Sequence, residues 1–299
     1  MSKTGKNRVI TDQFYTNNDV SLQCIELFLE TIKINKSDII IEPSAGNGSF
    51  SDYFIENKYT IDSYDIDPKQ DYILKQDFLE FNSEFYNKKI VHSIGNPPFG
   101  RQSSLAKKFI KKTTQFCDTV AFILPKSFRK QSFQKSFPLN YHLIKEIDLD
   151  KNSFTIDDKP HNVPCVFQIW VKKNNDRFIE PNVKENGFHF VKKPTVMDDE
   201  LNDEEIPIKR KNIFSECPDF GILRAGGGKT CGRISLNYEN GISCYPEAWL
   251  FIKLDDNYDR DKFYEEYKKI NWIDDSNVGA RSIDKQRFIR GINKVLESF

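Results

Sequence analysis

No run of about 18 consecutive apolar residues occurs in the sequence, so it holds no ordinary membrane-spanning helix. The first seven residues are polar and basic with no apolar stretch behind them, which argues against a secretory signal and for a cytoplasmic or nuclear location. Six cysteines (Cys24, Cys117, Cys165, Cys217, Cys231, Cys244) form no C-x-x-C pair, and four histidines are equally dispersed. Reduced thiols and no metal site are expected from that scatter. Net charge is absent as well: 44 Lys and Arg balance 44 Asp and Glu. Any attraction to a polyanion must therefore come from local patches rather than from the charge of the whole chain. No internal repeat is visible.

What is present is enough apolar residue, 38% of 299, for one large domain or two modest ones. From 36 to about 173, short β-branched runs alternate with amphipathic stretches, the pattern of βαβ units around a parallel sheet. Seven strands are predicted, at 38–41, 61–66, 72–76, 89–94, 119–124, 143–149 and 163–171. Helices are predicted at 20–32, 49–57, 105–115 and 130–137, the first with an apolar face of Leu22, Ile25, Leu29 and Ile32. The texture then turns polar. An α/β domain at 1–175 and a smaller α+β module at 181–299 are expected, the latter with a strand at 249–254 and helices at 261–270 and 284–296. Residues 198–205 hold six acids in eight positions and read as a solvated loop.

The most specific motif is Asn96-Pro97-Pro98-Phe99, at the end of an apolar strand. Tandem prolines fix two φ angles and remove two N–H donors, so the loop is stiff and can aim bare carbonyls into a cleft. Asn96 adds a side-chain acceptor beside the Pro97 carbonyl. Two neutral acceptors suit a planar NH2 group with a conjugated lone pair, because accepting both N–H bonds favours a pyramidal nitrogen and turns that lone pair toward an electrophile. Phe99 offers a flat face for a base.

Upstream, Ile39-Ile40-Ile41-Glu42-Pro43-Ser44-Ala45-Gly46-Asn47-Gly48 reads as a strand and a small-residue turn where backbone can approach a ligand. Glu42 places negative charge at the strand end, which suits a cationic ligand better than a phosphate. Asp65, followed by Ile66 at the end of the next strand, is placed to grip ribose hydroxyls. Asp77-Phe78, after the third strand, could accept from an adenine amine and cover its ring. Three strand-end acids in order form a series, although each alone reads as a solvated turn residue.

This series resembles the class I S-adenosylmethionine-dependent methyltransferases, and Asn96 to Phe99 resembles the N-P-P-[FY] motif of the amino-methylating group, chiefly N6-adenine enzymes. Phe14-Tyr15-Thr16 resembles the N-terminal motif that flanks the methionine moiety in those enzymes. The order, with a carboxy-terminal region last, is similar to the gamma arrangement. The resemblance covers about residues 11 to 173. It implies a seven-stranded Rossmann-like sheet and S-adenosylmethionine as cofactor, held by Tyr15, Thr16, Glu42, Pro43, Gly46, Gly48, Asp65, Ile66, Asp77 and Phe78. It further implies catalysis at Asn96, Pro97, Pro98 and Phe99 on an adenine flipped from its strand, with Phe154 as a second aromatic for the base.

The segment Gly226-Gly227-Gly228-Lys229-Thr230 is not a phosphate loop, because G-x-x-x-x-G-K-[ST] requires glycine where Leu223 stands. Residues 101–135 hold nine Lys or Arg against one Asp, a basic stretch beside N-P-P-F that a polyanionic substrate would require. A weaker patch of five basic and two acidic residues lies at 281–299. Lys126, Arg129 and Arg224 are the candidate substrate contacts from these considerations. DNA is favoured over RNA, and no obligate partner protein is evident. A protein glutamine substrate, as for release-factor methyltransferases with N-P-P-Y, fits less well, since those resemble a longer helical domain before the cofactor loop and here only 41 residues precede Glu42. The third alternative is a non-catalytic nucleic-acid-binding subunit.

Overall fold

The computed structural model describes residues 15–150, 153–156, 159–161, 163–193, 195–198, 210–226, 231–236, 248–272 and 281–299. Phe14, most of the acidic run and the segment from Gly227 to Thr230 lie outside these described residues. The chain divides into two compact units, Met1–Ile179 and Glu180–Phe299.

The first unit opens with the two-residue strand β1 (Tyr15–Thr16) and helix α1 (Asn18–Thr31). Its buried face is Ser21, Cys24, Ile25 and Phe28, at i, i+3, i+4 and i+7. Of the apolar face expected from the sequence, Ile25 is in the core and Leu29 and Ile32 pack against it, whereas Leu22 is 42% exposed; Phe28 is fully buried and meets Phe54 edge-on.

The sheet strands follow as β2 (Ile39–Glu42), β3 (Ile61–Asp65), β4 (Leu74–Lys75), β5 (Val91–Gly95) and β6 (Thr119–Pro125), with α2 (Ser51–Glu56) and α3 (Ser104–Thr113) between them. A short α4 (Gln131–Gln134) leads to β7 (Tyr141–Asp148), and β10 (Cys165–Lys172) completes the sheet after the small strands β8 (Phe154–Ile156) and β9 (Lys159–His161). The order is β4-β3-β2-β5-β6-β10-β7. Every residue of β2 and of β6 is buried, as expected of strands covered on both faces.

All seven strand positions read from the sequence recur in this sheet, but it is mixed rather than parallel: β10 runs antiparallel to both β6 and β7. The cause is the connection. A parallel neighbour needs a crossover, usually a helix, whereas between β7 and β10 the described chain makes only the β8–β9 hairpin and re-enters the sheet from the end it left. The helix expected at 130–137 shrinks to α4. The stretch between β4 and β5 forms two 3-10 turns, Phe78–Glu80 and Ser83–Tyr86, each started by an Asx cap from Asp77 or Asn82.

A second sheet of the same unit orders β1-β8-β9, with Thr16 opposite Phe154. It ties the amino-terminal segment to a loop from the far end of the unit.

The second unit contains β11 (Phe188–Val191), β12 (Thr195–Asp198), β13 (Arg210–Ile213), β14 (Phe220–Leu223), β15 (Ala225–Gly226), β16 (Ile234–Ser235) and β17 (Trp249–Leu254). Helix α5 (Arg260–Tyr267), β18 (Arg281–Ser282) and α6 (Lys285–Leu296) follow. Its main sheet, β11-β17-β14-β16, is antiparallel. Phe220 on the sheet and Phe263 on α5 share its core with Trp272 and Phe288. Asp259 and Asp284 cap α5 and α6 by accepting from backbone N–H groups.

Candidate active site

The strand order reverses between β2 and β5, since β3 and β4 continue to one side and β6 to the other. In open α/β sheets, ligands bind at that point, outside the carboxyl ends of the strands. There the loops enclose a cavity of about 460 Å³, a size typical of small-molecule sites.

Of the residues nominated from sequence, Tyr15, Thr16, Glu42, Pro43, Gly46, Asp65, Ile66, Asp77, Phe78 and Asn96 through Phe99 all line this one cavity. Asp65 Oδ2 accepts the Gly46 N–H at 2.7 Å and Oδ1 accepts that of Asp67 at 2.8 Å. Each carboxylate oxygen keeps a second acceptor site for a hydroxyl. Gly46 has φ +54, and a Cβ there would stand 3.3 Å from the Tyr15 ring. A side chain would both strain the turn and crowd the cavity wall.

Glu42 is 2% exposed. Its Oε2 accepts the Ser51 backbone N–H at 2.9 Å and the Ser51 hydroxyl, which also meets Ser63 Oγ. Burial pushes the Glu42 carboxyl up to about 8; the Ser51 donors oppose that rise, and the charges of Asp65 and Asp52 add to it. Burial thus favours the neutral acid over the negative charge expected at this strand end.

Asp77 accepts the Leu79 N–H at 2.9 Å, which shapes the turn that seats Phe78. The Phe78 ring is stacked on Phe109 of α3 at 5.8 Å and is a wall of the cavity. Asn96 donates from Nδ2 to Thr16 Oγ1 at 3.2 Å, and its backbone carbonyl accepts from the Ser44 hydroxyl at 3.1 Å. Pro97 is buried, and the Phe99 carbonyl accepts from Leu105 and Ala106 at the start of α3, which anchors the proline loop to a helix.

Five nominated residues lie elsewhere. Gly48 packs at φ +90 beneath the Tyr72 hydroxyl, which leaves no room for a Cβ, and it is not part of the cavity lining. Phe154 is fully buried and meets Phe99 edge-on. Lys126 is paired with Asp148 at 2.5 Å, and Arg129 with Glu146 at 2.6 Å and Asp148 at 3.0 Å, so these two positive charges are matched by two negative ones. Arg224 belongs to the second unit, where it is exposed. By contrast Arg101, Lys108 and Lys111 are exposed, and no described acid pairs with them. Sequence reasoning did not single out Leu105 and Phe109, whose i,i+4 spacing on α3 was the available signal, nor Ser44, Ser49 and Gln76, which also line the cavity.

No family model matches the chain. Two curated relatives, the Type II methyltransferases M.HincII and M.HindII of Haemophilus influenzae, are each 35% identical over 124 residues, 38% of this chain. The match spans 23% and 22% of their lengths. Similar solved structures include the magnesium protoporphyrin IX methyltransferase of Synechocystis PCC 6803 with S-adenosylmethionine bound (TM-score 0.37, 11% identity, 56% of this chain and 87% of that one). TrmN of Thermus thermophilus is another (TM-score 0.38, 13% identity, 51% of this chain and 49% of that one).

Proposed function

We propose that this class I S-adenosylmethionine-dependent methyltransferase fold transfers a methyl group to the exocyclic N6 amine of an adenine in nucleic acid, DNA in preference to RNA. The observation that carries the reading is that Asn96, Pro97 and Phe99 share one cavity with the strand-end carboxylates Glu42 and Asp65.

S-adenosylmethionine supplies an electrophilic methyl group on a sulfonium sulfur. The residues present suit such a cofactor. Asp65 offers spare acceptor sites for ribose hydroxyls, and Glu42 is a buried carboxyl for an ammonium group. Phe78 and Ile66 give apolar walls for an adenine ring, and Gly46 keeps the turn clear. On the substrate side, Asn96 and the Pro97 carbonyl accept the two N–H bonds of the amine, which concentrates its lone pair for in-line attack. Phe99 stacks on the extruded base. Held in this way, the amine is pre-oriented, and orientation of this kind can supply a large part of a rate enhancement.

The polymer is gripped through local charge. On α3 and its lead-in, Arg101, Lys108 and Lys111 replace Lys126 and Arg129 as the phosphate contacts, because the latter pair is already neutralised by Glu146 and Asp148. The second unit is the proposed target-recognition module, and the gamma order of motifs supports that role. The test is one methylation assay in which double-stranded DNA, single-stranded DNA and RNA compete for label. Label in DNA supports the reading; label confined to RNA moves the polymer, and label confined to protein overturns the reading.

A further inference from the structure

Asn96 can accept an amine proton only through its amide oxygen. A half-turn about Cβ–Cγ exchanges that oxygen for an NH2 group, which has only donors to offer and would oppose the substrate amine. Catalysis through Asn96 therefore requires something that fixes which way the amide lies. Its nitrogen stands 3.2 Å from Thr16 Oγ1, and because that nitrogen is a donor, the hydroxyl is the acceptor.

We propose that Thr16 is a positioning residue whose hydroxyl holds the Asn96 amide with its oxygen available to the substrate amine. The proposal rests on the reading of Asn96 as the amine acceptor. Thr16 is suited to the task because it is itself held. It is 6% exposed, its carbonyl accepts from the Ser49 hydroxyl at 3.1 Å, and it pairs opposite Phe154. The adjoining Asn17 N–H donates to the Ser153 carbonyl at 3.1 Å. A β-branched side chain has restricted χ1 freedom, so a held backbone limits where the hydroxyl can lie. At the other end, the Ser44 hydroxyl holds the Asn96 main chain. The amide is thus secured on both sides by residues far away in sequence. The β1–β8 pair also carries Phe154, so the orientation of the amide and the ring behind Phe99 share one support.

The test compares T16V, which keeps the shape and removes the acceptor, with T16S, N96A and the double variant, all in the full chain. Three quantities are read: single-turnover methyl transfer to an adenine-containing oligonucleotide, S-adenosylmethionine affinity by calorimetry, and solvent exchange of the Asn96 side-chain amide protons by NMR. The amide signals are assigned by their loss in N96A. T16V is expected to slow transfer by about tenfold and to speed amide exchange by about tenfold, the worth of one hydrogen bond. Because Thr16 also lines the cavity, transfer is read at saturating cofactor, where the loss should persist whatever the change in cofactor affinity, and T16S should restore both properties. In the N96A background T16V should cost nothing further, because the two residues act as one unit. Equal loss in that background, unchanged amide exchange, or a loss confined to cofactor affinity would overturn the proposal. A wild-type chain that methylates no adenine defeats the functional reading instead, and the exchange comparison still decides whether Thr16 holds the amide.

Discussion

Phe154 meets Phe99 edge to face, with ring centroids 6.5 Å apart and planes at 90°. Aromatic pairs favour this arrangement, and here it joins the proline loop to the β1–β8 strand pair. Phe99→Leu should lower substrate affinity and rate together by the worth of a base–aromatic contact, about 1 to 3 kcal/mol. Phe99→Trp should retain more activity than Phe99→Leu. The reverse order, measured by single-turnover kinetics, would make Phe99 a packing residue only.

Asp65 accepts from the Gly46 N–H of the cofactor loop and from the N–H of Asp67, two residues on, as well as facing the cavity. Asp65→Ala should weaken S-adenosylmethionine binding by about 1 to 3 kcal/mol, read by calorimetry, with folding checked by thermal melting. Unchanged affinity in a folded variant would remove Asp65 from the cofactor site.

Glu42 makes a pH-dependent contribution of definite sign. Its folded pKa, raised to about 8, exceeds the ordinary 4.5, so the folded chain binds its proton more tightly than the unfolded chain does. Stability from this group is full below about pH 4.5 and is lost as pH rises through 8. Relative to Glu42→Gln, the wild-type melting temperature should fall between pH 6 and pH 9. A bound ammonium group favours the carboxylate, so cofactor uptake near pH 7 should release a proton. Calorimetry in buffers of different ionisation enthalpy reads that proton, and equal heats in all buffers would contradict the assignment.

Charge on α3 gives a salt test. Replacing Arg101, Lys108 and Lys111 by Ala should weaken polynucleotide binding and flatten its logarithmic salt dependence, by about one unit of slope per lost phosphate contact. Lys126→Ala with Arg129→Ala should change the slope little, because Glu146 and Asp148 already neutralise those side chains. The opposite ranking would return the phosphate contacts to Lys126 and Arg129.

Strands were legible because β-branched runs such as Ile39-Ile40-Ile41 have few other ways to be buried. The cavity-lining motifs were legible because each sits where a strand ends. Less was visible where the decisive contact is distant. Asn96 and Thr16 are separated by 80 positions, and no local pattern announces their hydrogen bond. The pairing of β1 with β8 is non-local in the same way, so Phe154 could be nominated only from resemblance. On α1, hydropathy placed Ile25, Leu29 and Ile32 toward the core but also counted Leu22, which is exposed, and overlooked the buried Ser21. The basic stretch could be counted but not discounted, since Glu146 and Asp148, which neutralise part of it, come from a later strand.

Activation of an adenine amine by Asn96 and its proline loop is read by nucleoside mass spectrometry of DNA and RNA incubated with the full chain and S-adenosylmethionine. N6-methyladenine is expected from the wild type, with a loss of about 10² or more in turnover for Asn96→Ala at nearly unchanged cofactor affinity. Methylation on another base, or a near-normal single-turnover rate for Asn96→Ala, would contradict it.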